Sequence, residues 1–81
     1  MSQLQRSDAL RLLSQVHDLK EKEKNYFLGM CEEYFIQGGL SETEVLKICR
    51  EIRTNHSDPI SEFQINEIEQ QFVNYFKNLN N

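Results

Sequence analysis

The segment GGLSETEV, residues 38–45, constrains the fold more strongly than any other part of the sequence. Its two glycines suit the end of a helix, because glycine adopts the left-handed backbone conformation without strain. Ser41 and Glu44 then have the spacing of a capping box, in which each side chain accepts a hydrogen bond from the backbone amide of the other residue. The segment therefore predicts a tight turn between two helices, and every part of it has a structural role.

Apolar residues elsewhere recur at steps of three and four, as they do along one face of an amphipathic helix. Helix-forming residues dominate, and the chain contains one proline and three glycines. These patterns predict an all-α protein, a small three- to four-helix bundle with antiparallel neighbours. The predicted helices cover residues 8–19, 22–37, 42–54 and 59–78, within one helical domain of residues 1–81.

Two of these boundaries have alternatives. The run of residues 19–25 contains no Gly or Pro, so residues 8–37 form either a helical hairpin with a hinge in that run or one long helix. We favour the hinge, because helices of globular proteins average about 12 residues. The last helix can begin at Asp58-Pro59, where proline suits the first helical position, or at Ser61, which has Gln64 three residues later.

The sequence offers little chemistry for catalysis or for a cofactor. Cys31 and Cys49 lie among apolar residues at helical spacing, which predicts buried free thiols. Neither these cysteines nor His17 and His56 have the spacing of zinc ligands, and residues 33–44 lack the oxygen ligands of a calcium loop. No set of nucleophile, base and orienting group is recognisable. We therefore predict a protein that is not an enzyme and that uses no cofactor or metal.

The charge distribution bears on the kind of partner. The net charge is −4, and residues 54–81 carry one basic residue, Lys77, against four acidic residues. Nucleic-acid binders usually present a basic stripe, so this distribution favours a protein partner with a basic surface over a nucleic acid. No apolar run is long enough to span a membrane and no signal peptide is recognisable, so the predicted location is the cytoplasm.

The aromatic residues give the best indication of function. Five Phe and three Tyr crowd into residues 26–35 and 63–76. Most of them are expected in the core, and the surplus apolar surface is expected to contact another protein. We therefore predict a homodimeric protein-interaction module, which acts as an adaptor, a chaperone or an inhibitor of a larger protein. The predicted contact residues are Tyr26, Tyr34, Phe63, Tyr75 and Phe76, with an acidic rim of Glu62, Glu67 and Glu69.

An alternative function is a dimeric, nucleic-acid-binding regulator of transcription. Lys47, Arg50 and Arg53 follow one another at three-residue steps on the exposed side of the third helix, and a dimer would bring two such sets together. However, the first turn of that helix is acidic, and recognition helices contact bases mainly through their N-terminal residues. The protein-interaction module is therefore the preferred hypothesis.

The segment LSETEVLKICREI, residues 40–52, resembles the first helix of the immunity proteins that neutralise DNase colicins. Those proteins are small, acidic, four-helix inhibitors. The likeness is confined to this segment, and the Tyr-Tyr-Pro stretch with which they contact the nuclease has no counterpart here. The resemblance implies that a small acidic bundle of this kind can inhibit a larger protein.

Overall fold

The structure, a computed structural model, describes residues 3–55 and 59–79. Those residues contain four helices and no strand, which confirms the predicted all-α bundle. The helices are α1 (Arg6–Ser14), α2 (Glu21–Ile36), α3 (Glu42–Thr54) and α4 (Glu62–Leu79). His56, considered above as a zinc ligand, and Asp58, considered as a helix cap, lie outside the described residues.

The chain leaves the helical conformation between α1 and α2, so the prediction of two helices is confirmed and the long-helix alternative is wrong. The break begins after Ser14, earlier than the predicted hinge, and Asp18 within it has a positive φ of 63°. Glu23 defines the start of α2, because its carboxylate accepts a hydrogen bond from the Lys20 amide at 2.8 Å. Glu23 therefore caps the start of α2.

The turn between α2 and α3 has the geometry that residues 38–45 predict. The Gly39 amide donates to the Tyr34 carbonyl at 2.9 Å, which closes α2 in a Schellman motif, and Gly39 has a φ of 137°. The Ser41 amide donates to the Glu44 carboxylate at 2.9 Å, and the Glu44 amide donates to the Ser41 hydroxyl at 3.3 Å. The predicted capping box is confirmed.

The residues before α1 pack against this turn. No sequence pattern indicates this contact. Leu4 and Leu40 exchange two backbone hydrogen bonds of 2.8 Å, and both side chains are fully buried. A Cβ atom on Gly39 would lie 2.8 Å from the Cβ of Gln3 and 2.9 Å from Nε2 of Gln5. A side chain at this glycine would therefore collide with the segment that closes this end of the bundle.

The last helix begins at the second of its two predicted starts. The Ser61 amide donates to Gln64 Oε1 at 2.9 Å, and the Gln64 amide donates to Ser61 Oγ at 3.2 Å. Pro59 lies in a bend before the helix, so the predicted start at residue 59 is wrong. The physical reason is that the reciprocal bonds satisfy two amide groups at the helix start, whereas proline only removes one donor.

The core is built from apolar side chains of all four helices. Helix α4 packs against α3 and α1, and α1 packs against α2. The rings of Phe27 and Phe72 meet edge to face with centroids 5.4 Å apart, which joins α2 to α4. Cys31 and Cys49 are buried free thiols, as predicted, and contribute packing to this core.

Candidate protein-interaction surface

One aromatic side chain stands out from the bundle on the outer side of α4. Phe63 is 70% exposed, whereas Ile65 and Ile68 on the opposite side of the helix are fully buried. Residues three and four apart lie on the same side of a helix, so the neighbours of Phe63 follow at those steps. A shallow depression of about 280 Å³ is lined by Phe63, Asn66, Glu67 and Gln70. These four residues are named the Phe63 surface.

Two carboxylates supply negative charge beside this ring. Glu62 precedes Phe63 and is exposed, and Glu67 lies one helical turn after it and is half-buried. Neither carboxylate forms an ion pair with any of residues 3–55 or 59–79. The Phe63 surface and its neighbour Glu62 therefore combine an exposed apolar ring with two carboxylates that form no ion pair within the described part of the chain.

Glu69, predicted as the third acidic rim residue, forms an ion pair inside the protein. Its Oε1 atom lies 2.7 Å from Nη1 of Arg53, and Nη2 of Arg53 donates to Oδ1 of Asn66 at 2.7 Å. These bonds join α3 to α4 across the surface. They also neutralise one residue of the predicted acidic rim and one residue of the predicted basic face, which leaves Glu62 and Glu67 of that predicted rim without an ion pair among the described residues.

The basic face of α3 is correspondingly smaller than the sequence predicts. Lys47 and Arg50 are exposed, and within the described part of the chain neither forms an ion pair. Two cations therefore remain beside an acidic first turn that contains Glu42 and Glu44. Nucleic-acid binding through this face stays a prediction, with less charge to support it than the sequence suggests.

Two of the predicted aromatic contacts on α4 lie away from the Phe63 surface. Phe76 is 3% exposed and belongs to the core, which corrects its assignment to a partner contact. Tyr75 is half-buried between α4 and α1, where the Arg11 guanidinium lies 5.9 Å from its ring centroid. Partial burial, followed by the charge and hydrogen bond of Asp8, raises the pKa of the Tyr75 hydroxyl. Both rings therefore serve packing within the bundle.

The other two predicted aromatic contacts lie on α2. Tyr26 and Tyr34 are half-buried and pack against the core, about 12 Å apart along the helix axis. A second shallow depression, of about 540 Å³, is lined by Lys22, Asn25, Tyr26 and Pro59. The structure thus distributes the predicted contact residues over separate surfaces instead of bringing them together.

Ile36 is exposed although it is not among the predicted contact residues. It is the last residue of α2 and is 77% exposed. The sequence does contain a signal for it, because the apolar residues of 25–37 cover more than one side of a helix. One core can take only one side, and Ile36 belongs to the side that this core leaves uncovered.

No group of three His, Cys, Asp or Glu side chains that could hold a metal ion occurs in residues 3–55 and 59–79. None of the helices in these ranges is long and apolar enough to cross a membrane. Comparisons with known proteins found no matching family model, no matching curated protein and no matching solved structure. The resemblance of residues 40–52 to the immunity proteins therefore has no further support, and function is inferred from the surface itself.

Proposed function

We propose that this protein is a small non-enzymatic interaction module that binds a larger protein through the Phe63 surface. It would act on that protein as an adaptor, a chaperone or an inhibitor does. The exposure of Phe63 carries the proposal, because this large apolar residue is 70% exposed on a helix whose opposite side is buried. Burial of this ring in a partner's recess would contribute about 1.5–3 kcal/mol to binding.

The proposed partner presents a basic surface around an apolar recess. Glu62 and Glu67 lie on either side of Phe63 along the chain, and the protein carries a net charge of −4. Charges at the rim of an interface mainly raise the association rate and select the partner, and their effect falls as the salt concentration rises. Binding is therefore expected to weaken with added salt.

The buried thiols support a non-enzymatic role in the cytoplasm. Cys31 and Cys49 are free, whereas small domains of oxidising compartments usually pair their cysteines. Burial raises the pKa of each thiol to about 12. A thiol that stays protonated at neutral pH is a poor nucleophile, so these cysteines do not supply a catalytic group.

The test begins with capture of the partner by the tagged protein from the host cell, its identification by mass spectrometry, and its purification. Titration of the purified partner then compares the parent protein with the variant Phe63→Ala. We expect the variant to bind about ten- to a hundredfold more weakly, because it loses the burial of the ring. Leu46→Ala is the matched control, since Leu46 is an exposed apolar residue on α3, and it should bind as the parent does.

Charge variants test the acidic rim and the alternative function together. Glu62→Lys with Glu67→Lys should weaken binding and flatten its salt dependence. Lys47→Ala with Arg50→Ala should leave the affinity for the partner unchanged. Equal binding by the parent and Phe63→Ala would contradict the proposal. So would a capture that disappears after nuclease treatment and in the Lys47/Arg50 variant but persists in Phe63→Ala, since that result indicates a nucleic acid.

A further inference from the structure

Gly29 lies in the middle of α2 without a packing role inside the bundle. A Cβ atom at this residue would meet no described atom within 4 Å outside its own helical surroundings, and its φ is not positive. Glycine destabilises a helix interior relative to alanine. Neither a tight intramolecular contact nor a special backbone conformation therefore explains this glycine. Its missing side chain leaves room on the outside of α2 for the close approach of another backbone.

The outer side of α2 around Gly29 carries a distinct pattern. Ile36, 77% exposed, lies two turns after Gly29, and Lys22 lies two turns before it. Asn25 and Glu33 lie one turn before and one turn after Gly29, and both are exposed. Because these steps are multiples of a helical turn, the five residues share one side of the helix. That side is open, apolar at its C-terminal end and basic at its N-terminal end.

We propose that two copies of this chain associate through α2, with the two helices antiparallel and crossing at Gly29. A two-fold axis at this residue places each position opposite the one equally far from Gly29 in the other direction. Ile36 of one copy then faces Lys22 of the second copy. Lys22 is one of the residues that line the apolar depression, together with Asn25, Tyr26 and Pro59. Each copy inserts one isoleucine and receives one, so the contact is self-complementary and closes as a dimer.

Charge complementarity favours a second copy as the occupant. The same register brings Glu33 of one copy opposite Asn25 of the other, one turn from Lys22. In the single chain, neither Lys22 nor Glu33 forms an ion pair with a described residue. Glu32, the other acid on this part of α2, is already paired with Arg6. In the antiparallel dimer, Glu33 of each copy therefore lies one turn from Lys22 of the other, whereas a parallel dimer would place like charges directly opposite each other.

The contact is small, so the dimer is expected to be reversible. Helix α2 has 16 residues and is therefore about 24 Å long. A contact made by one helix of this length on each copy is expected to bury an area at the low end of the range for specific interfaces. The proposal uses a different surface from the Phe63 surface and does not depend on the proposed function.

Sedimentation velocity of the full chain over a wide range of concentrations tests the proposal. We expect a monomer–dimer equilibrium in the parent protein. Ile36→Asp and Gly29→Leu should each raise the dimer dissociation constant by at least about tenfold. Both positions are exposed, so the helical circular dichroism signal should be retained. Leu46→Asp, on α3, is the matched control for an exposed apolar residue and should dimerise as the parent does.

A charge exchange tests the antiparallel register itself. Lys22→Glu alone should weaken the dimer, because the new carboxylate lies near Glu33 of the other copy. The double variant Lys22→Glu/Glu33→Lys should restore the dimer. A parent protein that is monomeric at every concentration would overturn the proposal. A dimer that persists in Ile36→Asp and Gly29→Leu would also overturn it. If dimerisation is lost in Phe63→Ala instead, the second copy occupies the Phe63 surface and the α2 proposal is wrong.

Discussion

At the scale of the residue, the two cysteines show how burial changes the chemistry of a side chain. Both are fully buried, and loss of hydration is the largest cause that raises the pKa of each thiol to about 12. Electrostatic repulsion from the Cys49 thiolate, when it forms, further raises the pKa of Cys31. The Glu69 carboxylate further raises the pKa of Cys49. The protonated thiol fits an apolar core as a small hydrophobic group, whereas the thiolate does not.

We predict that the protein loses stability as the pH rises above about 9. Thiols of the unfolded chain ionise near pH 8.5, whereas those of the folded protein stay protonated up to about pH 12. Unfolding therefore releases protons between these two pH values. The stabilisation that each buried thiol provides is complete below the pKa of the unfolded chain and is lost as the pH rises towards the pKa of the folded protein. Each thiol lowers the free energy of unfolding by up to about 1.4 kcal/mol per pH unit. Urea denaturation at a series of pH values measures the slope.

The double variant Cys31→Ala/Cys49→Ala is the control, because tyrosine and lysine residues also titrate at high pH. Its free energy of unfolding should be lower at neutral pH, since it loses buried atoms, but should fall less steeply above pH 9. Identical slopes for the two proteins would show that the folded state does not hold the thiols protonated.

At the scale of the element, all four helices begin in the same way. In each helix, the side chain of the third residue accepts a hydrogen bond from the backbone amide of the residue that precedes the helix. The distances are 3.1 Å for Gln5 to Asp8, 2.8 Å for Lys20 to Glu23, 2.9 Å for Ser41 to Glu44 and 2.9 Å for Ser61 to Gln64. Only the last two carry the serine that makes a capping box recognisable in a sequence.

We predict that Ser61, and not Pro59, stabilises the start of α4. Ser61→Ala removes the hydroxyl that accepts from the Gln64 amide and should lower the free energy of unfolding by about 1 kcal/mol. Pro59→Ala changes a residue outside the helix and should alter it by less than about 0.5 kcal/mol. Urea denaturation of the two variants gives both values. A larger loss of unfolding free energy in Pro59→Ala than in Ser61→Ala would place the start of the helix at the proline.

At the scale of the whole molecule, the N-terminal segment closes the bundle. Leu4 pairs with Leu40 through two backbone hydrogen bonds, and its side chain is fully buried. Arg6, at the start of α1, forms an ion pair with Glu32 and lies 5.3 Å from the ring centroid of Phe35. Leu4 is therefore part of the core, because it covers the end of α2 and the turn that follows.

We predict that Leu4→Ala destabilises the protein as strongly as a substitution in a helix interior. The variant creates a cavity at a fully buried site and should lower the free energy of unfolding by about 2–4 kcal/mol. Gln3→Ala keeps the backbone and the Cβ atom beside Gly39, so it should be nearly neutral and serves as the control. Thermal or urea denaturation compares them. A Leu4→Ala variant as stable as the control would mean that this end of the chain is not docked.

The features that sequence patterns predict correctly have causes that lie within a few residues of one another. The capping box of Ser41 and Glu44 needs only a spacing of three, and the helix end at Gly39 needs only the backbone freedom of glycine. Helical periodicity likewise placed Cys31 and Cys49 among buried residues. Local propensity and side-chain spacing are therefore sufficient for the all-α class and for most helix boundaries.

Which apolar and charged residues reach the surface depends on contacts between helices that are distant in sequence. Phe63 and Phe76 both lie on α4 at positions that could belong to an apolar face, yet one is exposed and the other is buried. Arg53, predicted on a basic face, forms an ion pair with Glu69 on another helix, with Nη1 and Oε1 2.7 Å apart. These outcomes depend on how neighbouring helices pack against each other, since packing selects the buried side of each helix and the charges that meet across it.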